Sequence, residues 1–177
     1  ETFENFDDFT FNHEVGLNSD ISISADASNN STYGLFFTGG TYANFNNSNT
    51  VTGAFANTSH IAKAYSCHVD ANNLNALSIK FDLRQTMSNN TLPNNSWFRV
   101  MITDTNGVSH YAKNTNGDST FQPLTNYDPF VTHIFELNDF VGQNLSISLE
   151  SACKYDINNS GAFDADTAYV DNLEIWI

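Results

Sequence analysis

The most regular stretch of the chain is Leu77-Ser78-Ile79-Lys80-Phe81-Asp82-Leu83-Arg84. Ile79, Phe81 and Leu83 fall on one side of an extended backbone, and Lys80, Asp82 and Arg84 on the other. A period of two with one apolar side is the pattern of a half-buried strand. Runs of the same kind recur at 33–38, closed by Gly39-Gly40, and at 61–69, 97–103, 108–112, 130–137, 145–152 and 167–177. Polar stretches separate them: 41–59, Asp70-Ala71-Asn72-Asn73, 88–95, 114–128 and 156–166. Asp104-Thr105-Asn106-Gly107 predicts a hairpin turn, because Asn-Gly supplies the positive φ angles a tight turn needs. Helical periodicity is nearly absent. With a further segment at 1–11, the pattern predicts about nine to eleven strands and no internal repeat. The economical arrangement is all-β: residues 1–177 as one antiparallel, two-sheet jelly-roll β-sandwich.

The last strand-like run, Thr167 to Ile177, carries Asp171 inside an apolar and β-branched sequence. A carboxylate taken out of water is costly unless it is paired or bound to a metal. At the other end, Glu4 stands between Phe3 and Phe6. The expectation is that the first and last strands lie side by side and share a cation.

Charge narrows the function. Twenty acidic residues against 6 basic give −14, which argues against nucleic acid or an anionic membrane surface, each of which needs a basic patch. No apolar run approaches the ~18 residues of a membrane span. No basic segment precedes a short apolar one, so any signal peptide is expected to have been removed. The chain begins and ends within strand-like segments, which suggests a domain excised from a longer protein. Cys67 and Cys153 are candidates for one disulfide closing a long loop, the alternative being two buried thiols. The glycosylation sequons are expected by chance in a chain this rich in Asn, Ser and Thr, a composition typical of secreted β-proteins.

The order of several motifs resembles the MAM-like domains, including cleaved-adhesin modules of secreted proteins from Bacteroidetes-type bacteria. The motifs are Phe3-Glu4; Tyr33-Gly34-Leu35-Phe36; Leu77 to Arg84 followed by Phe98-Arg99-Val100-Met101-Ile102; and Asp166-Thr167-Ala168-Tyr169-Val170-Asp171-Asn172-Leu173. Two cysteines stand where animal MAM domains usually carry four, so their disulfide pattern does not transfer. The resemblance implies a jelly roll, an extracellular or cell-surface setting, a structural calcium ion, and a binding role beside a catalytic or adhesive domain. Calcium takes six to eight oxygens. Glu4 and Asp171 match the family's acidic positions, Asp26 matches an acidic residue before the second strand, and Asn30 adds an oxygen. A second site at Asp156 to Gly161 begins like a calcium loop but has Thr167 where a bidentate Glu belongs.

For a ligand face, a flat aromatic that stacks on sugar C–H groups combines with planar or charged hydrogen-bonding groups. Trp97 and Arg99 share one side of their strand, and Lys80, Asp82 and Arg84 one side of another. The competing expectation is Trp97 in the core and the charges in a solvated cross-strand pair. His68, Tyr111 and His133 are secondary candidates with structural roles expected. The zinc-helix, nucleophile-elbow and phosphate-loop motifs are all missing from the sequence. The reading is a non-catalytic module that binds polysaccharide or oligosaccharide, a galactan such as agar or porphyran first, and holds a covalently linked enzyme near it. The alternatives are an adhesion or protein-interaction domain and a small polysaccharide-cleaving enzyme.

Overall fold

The computed structural model describes residues 21–38, 63–86, 96–125, 128–153 and 167–177. Nine strands are placed among them: β1 (Ile21–Ser24), β2 (Gly34–Thr38), β3 (Lys63–Asp70), β4 (Ser78–Thr86), β5 (Ser96–Thr103), β6 (Ser109–Tyr111), β7 (Val131–Glu136), β8 (Asn144–Cys153) and β9 (Thr167–Trp176). They form two antiparallel sheets, one ordered β1-β2-β9-β4-β7 and the other β3-β8-β5-β6. The fold is the expected jelly-roll β-sandwich.

Alternation builds the core. Ile79, Phe81 and Leu83 of β4 point inward with Leu35 and Phe37 of β2, Val170 of β9 and Phe135 of β7. Phe98, Val100 and Ile102 of β5 and Leu145, Ile147 and Leu149 of β8 meet them from the other sheet. Phe98 binds the layers together, its ring 5.7 Å from Phe37 and 5.9 Å from Phe81 in edge-on contacts, the geometry aromatic quadrupoles prefer. The hairpin read at Asp104–Gly107 joins β5 to β6: Gly107 donates to the Asp104 carbonyl at 2.9 Å and adopts φ 77°, a backbone state that costs glycine nothing.

Two local devices position the outer surface of the five-stranded sheet. Lys80 pairs with Glu174 and Asp82 with Asp171, so Phe81 faces both Asn172 and Leu173. This is a β-bulge, with Asn172 at φ 51°, a conformation Asn tolerates better than most residues. The bulge shifts the parity of β9, sending Tyr169 and Asp171 and then Glu174 and Trp176 to one face. The second device is the turn at Ala25–Ala27, which the Ser24 hydroxyl caps by accepting from Asp26 N at 3.1 Å. The turn seats against β2 and β9 through Gly34, where a Cβ would lie 2.3 Å from the Ala27 carbonyl oxygen and 2.8 Å from that of Val170. Only glycine allows that approach.

Strand register corrects the disulfide expectation. Cys67 lies opposite Ile147, and β8 runs six further residues (147 to 153) to Cys153. At ~3.3 Å per residue the separation is roughly 20 Å, whereas a disulfide needs Cα atoms within ~7 Å. Cys67 is buried in the core.

Candidate functional site

The charges expected to form one ligand face divide between two surfaces. Trp97 and Arg99 lie on β5, on the outer face of the four-stranded sheet; Lys80, Asp82 and Arg84 lie on β4, on the outer face of the five-stranded sheet. The core stands between them, so no single ligand contacts both sets. Arg99 is buried, and its Nε donates to Glu150 Oε2 at 2.6 Å, with side-chain exposures of 7% and 4%. Its guanidinium also lies 4.7 Å from the Tyr111 ring centre. Trp97 is half-buried with its indole Nε1 enclosed. Arg99 is thus engaged within the protein by Glu150 and Tyr111, and the Trp97 indole Nε1 is enclosed without a hydrogen-bond partner among the described residues.

The five-stranded face is different. Lys80 Nζ donates to Glu174 Oε1 at 3.0 Å with side-chain exposures of 26% and 37%. Trp176 Nε1 donates to Glu174 Oε2 at 2.7 Å, and the Lys80 ammonium lies 5.4 Å from the Trp176 ring centre. Trp176 is 49% exposed. The Lys80 hydrogen bond holds the Glu174 carboxyl below its ordinary value, burial opposing and the Trp176 bond reinforcing it. Along the same face, Arg84 lies 4.1 Å from the Tyr169 ring centre and 4.8 Å from that of Phe130. Phe36 continues the row, 5.0 Å from Tyr169. The Arg84 Nη2 donates to the Asp26 carbonyl at 2.7 Å.

Between these groups lie two buried carboxylates. Asp82 and Asp171 are cross-strand partners, 8% and 2% exposed. Asp171 accepts from Asn29 N, from Ser31 Oγ at 2.6 Å and from Asn172 N at 2.7 Å. Asp82 accepts from Thr132 Oγ1 at 2.5 Å, Asn172 Nδ2 at 2.8 Å and Asn29 Nδ2 at 2.9 Å. Burial pushes the Asp82 carboxyl upward, but the bonds from Thr132, Asn172 and Asn29, with the Lys80 charge, hold it below its ordinary value.

All six of those donors are uncharged, so the cluster carries two negative charges with Lys80 as the nearby positive one. That chemistry suits a hard divalent cation, which would take carboxylate oxygens and amide oxygens together. The described residues supply only part of such a site: none of their His, Cys, Asp and Glu side chains group in threes around one point. Glu4 lies outside the described residues, as does the segment 156–166 read as a second loop. Asp26 contributes its carbonyl to Arg84 while its side chain is exposed, and Asn30 sits at φ 64° on an exposed turn.

Sequence reasoning missed Trp176, Tyr169, Phe130 and Glu150. A strict period of two puts Asp171, Leu173 and Ile175 on one face and hides Glu174 and Trp176 with the core-facing residues. The bulge at Asn172 reverses that assignment, and the partial signal for it was Asn at the centre of an apolar strand.

No protein-family model matches the chain, and no curated protein matches it. Solved structures do. The chain is similar to the CBM22-1 xylan-binding domain of Xyn10C from Paenibacillus barcinonensis, at 14% identity and a TM-score of 0.51, over 98% of this chain and 89% of that one. It is also similar to the enzymatically active domain of tailspike protein 4 from bacteriophage CBA120, at 9% identity and a TM-score of 0.50, over 98% of this chain and 20% of that one. At these identities the shared property is the fold, a two-sheet antiparallel β-sandwich.

Proposed function

We propose that this domain is a non-catalytic carbohydrate-binding module whose ligand lies on the outer face of the five-stranded sheet. The observation that carries the reading is Trp176, an exposed indole fixed by Glu174 beside the Lys80 ammonium. Its flat apolar face suits the C–H face of a pyranose, while Lys80 and Glu174 offer a charged donor and acceptor to hydroxyl pairs. Arg84, stacked between Tyr169 and Phe130, extends the same face. The likeness to a xylan-binding domain supports a polysaccharide as the ligand. A net charge of −14 favours a neutral glycan over a heavily sulfated one.

Agarose is the first glycan to test and xylan the next, with porphyran as the sulfated comparison. The natural setting in this reading is a secreted or cell-surface protein in which the module holds a linked catalytic domain at its substrate. A structural calcium ion belongs to the same reading. Asp82 and Asp171 would hold it, with the Asn29 and Asn172 amides turned to present oxygen and Glu4 adding a carboxylate. Its contribution would be to fix the turn at 24–33 over the sheet.

Affinity electrophoresis of the whole chain in gels containing each glycan tests the proposal. Retardation by one glycan should fall at least ~10-fold in Trp176→Ala, the range expected when a buried aromatic contact is removed. Trp97→Ala separates the two faces, since this reading ties no affinity to it. Absence of retardation on all three glycans, with self-association in sedimentation, overturns the proposal in favour of adhesion. Release of new reducing ends by the isolated chain overturns it in favour of catalysis.

A further inference from the structure

The exposed platform around Trp176 is bounded on one side. The turn at 24–33 stands on the five-stranded sheet over the row of Asp171, Asp82 and Thr132. Asn29 N and Ser31 Oγ donate to Asp171, and Asn29 Nδ2 donates to Asp82 at 2.9 Å. Both carboxylates are covered there, whereas Asn30 and Tyr33 on the turn are exposed. The turn also reaches Arg84, whose Nη2 donates to the Asp26 carbonyl at 2.7 Å. It is therefore a ridge between Lys80 and Arg84. A chain laid along β4 from the Trp176 end would run into its backbone.

Across the strands the face stays accessible. Trp176 of β9 lies opposite Ser78 of β4, and Ser78 opposite Glu136 of β7; in the next row Glu174 lies opposite Lys80 and Lys80 opposite Ile134. Directly opposed residues share a face, so these six side chains make one floor three strands wide. Trp176 and Glu136 are exposed, and the other four are half-buried. The chemistry changes from strand to strand. β9 gives the indole. β4 gives the Ser78 hydroxyl and the Lys80 ammonium, which has three donors and spends one on Glu174 Oε1. β7 gives the Glu136 carboxylate, with Ile134 as its apolar neighbour on the same face. Among the described residues Glu136 makes no hydrogen bond or ion pair, so both its oxygens are available as acceptors.

We infer that the glycan crosses β9, β4 and β7 at right angles to the strands, and that Glu136 recognises its third unit. The inference rests on the sheet-face reading and adds to it a direction, a length and a residue. Neighbouring strands lie ~4.8 Å apart, close to the advance of one ring in an extended pyranose chain, so three rings match three strands. The first ring stacks on Trp176. The second meets Lys80 and Ser78, and the third donates a hydroxyl pair to Glu136, a charge-assisted contact. Two carboxylates against one ammonium leave the floor negative, which favours a neutral chain over a uronic or sulfated one. A chain that bends sharply at each linkage would leave the floor before reaching β7.

The test is isothermal titration of the whole chain with two neutral ladders, the xylan- and agarose-derived oligosaccharides of two to six units. In at least one ladder the affinity should rise about 10-fold from two units to three, the gain from one hydrogen-bonded contact to a charged group, and level off by four. Glu136→Ala should cost the three-unit ligand about 10-fold more than the two-unit one, which does not reach β7. Trp176→Ala should abolish binding of every length. Equal losses for the two ligands in Glu136→Ala, a gain that continues evenly to six units, or no gain after the second overturns the inference. With binding still dependent on Trp176, each of these leaves the sheet-face reading standing. Binding that survives Trp176→Ala, or no binding by either ladder, overturns both. Should Glu136→Ala fail to fold, the wild-type ladder decides alone.

Discussion

Among the described residues an ion pair lies on the outer face of each sheet, and the two pairs are chemically alike and physically opposite. On the four-stranded sheet, Arg99 and Glu150 face each other across β5 and β8 with almost no exposure. On the five-stranded sheet, Lys80 and Glu174 face each other across β4 and β9 and stay half in water. An aromatic ring accompanies each cation, Tyr111 over Arg99 and Trp176 under Lys80. Burial decides what each pair does. The enclosed pair has its hydrogen bonds turned inward and nothing to offer a ligand, so it specifies how two strands meet. The exposed pair gives little to stability but leaves charge and a flat ring accessible. Of the two arginines on these strands, Arg99 is enclosed, while Arg84 lies on the same face as the more accessible Lys80–Glu174 pair.

The sharpest way to break this comparison is to remove one partner from the enclosed pair. Glu150→Ala leaves a buried guanidinium and should destabilise the fold by about 3–5 kcal/mol in urea unfolding. Replacing both partners with apolar residues, Arg99→Met with Glu150→Leu, should recover most of that loss, because no unpaired charge remains. A single variant that unfolds no more easily than wild type would show that the pair is not enclosed.

Divalent-ion removal comes next. If calcium occupies the Asp82–Asp171 cluster, a hundredfold excess over its Kd stabilises the fold by about 2.7 kcal/mol. For a chain of this length that corresponds to roughly 5–10 °C in Tm. EDTA should remove the increment, calcium should restore it, and Asp171→Asn should abolish the response. A Tm unmoved by chelator would mean that the neutral donors on Asp82 and Asp171 suffice. The cost of two neighbouring buried carboxylates would then be borne by hydrogen bonds alone.

The exposed pair should respond weakly. Lys80→Met breaks its bond to Glu174 and is expected to cost no more than about 1 kcal/mol in unfolding free energy. The same change should weaken glycan retardation, since the ammonium is one of the proposed contacts. A stability loss near that of Glu150→Ala would erase the distinction between the faces.

Legibility followed how local the determining physics was. The alternation of β4 named its own inward and outward residues, and the Asn-Gly hairpin needed only the conformational freedom of Gly107, since Asn106 stays out of the positive-φ region. The two-sheet architecture followed from many such runs without helix. What failed was anything decided between strands. The Cys67–Cys153 expectation depended on register, which places the two residues far apart along β8. Grouping Trp97 and Arg99 with Lys80 and Arg84 depended on which sheet each strand joined. Trp176 went unread because one αL asparagine reverses the parity of the last strand. The stretch 114–128 read as irregular, yet Asn114 and Phe121 tie it to both sheets, a role visible only once β5 and β7 are in place.

The smallest effect separates two carboxylates of the five-stranded face, Asp82 and Glu174, by pH. Asp82 and Glu174 are both held below their ordinary values, which are near 3.8 and 4.5. In the window between the folded and unfolded values the unfolded chain binds more protons, so stability rises with pH there. The contribution is therefore complete above about pH 5 and disappears as pH falls through the lower folded values. Salt distinguishes the two groups. Glu174 is lowered chiefly by the hydrogen bond from the part-exposed Lys80 ammonium, and at about 1 M salt the screening length is only ~3 Å. Asp82 is lowered chiefly by hydrogen bonds from Thr132, Asn172 and Asn29, uncharged dipoles that salt screens less than it screens an ion pair. Acid unfolding followed at low and high salt should thus lose its Glu174 component and keep its Asp82 component, with Lys80→Met mimicking the high-salt curve and Asp82→Asn flattening what remains. Identical curves at both salt concentrations would show that the Lys80–Glu174 pair is as enclosed as its counterpart on the other sheet.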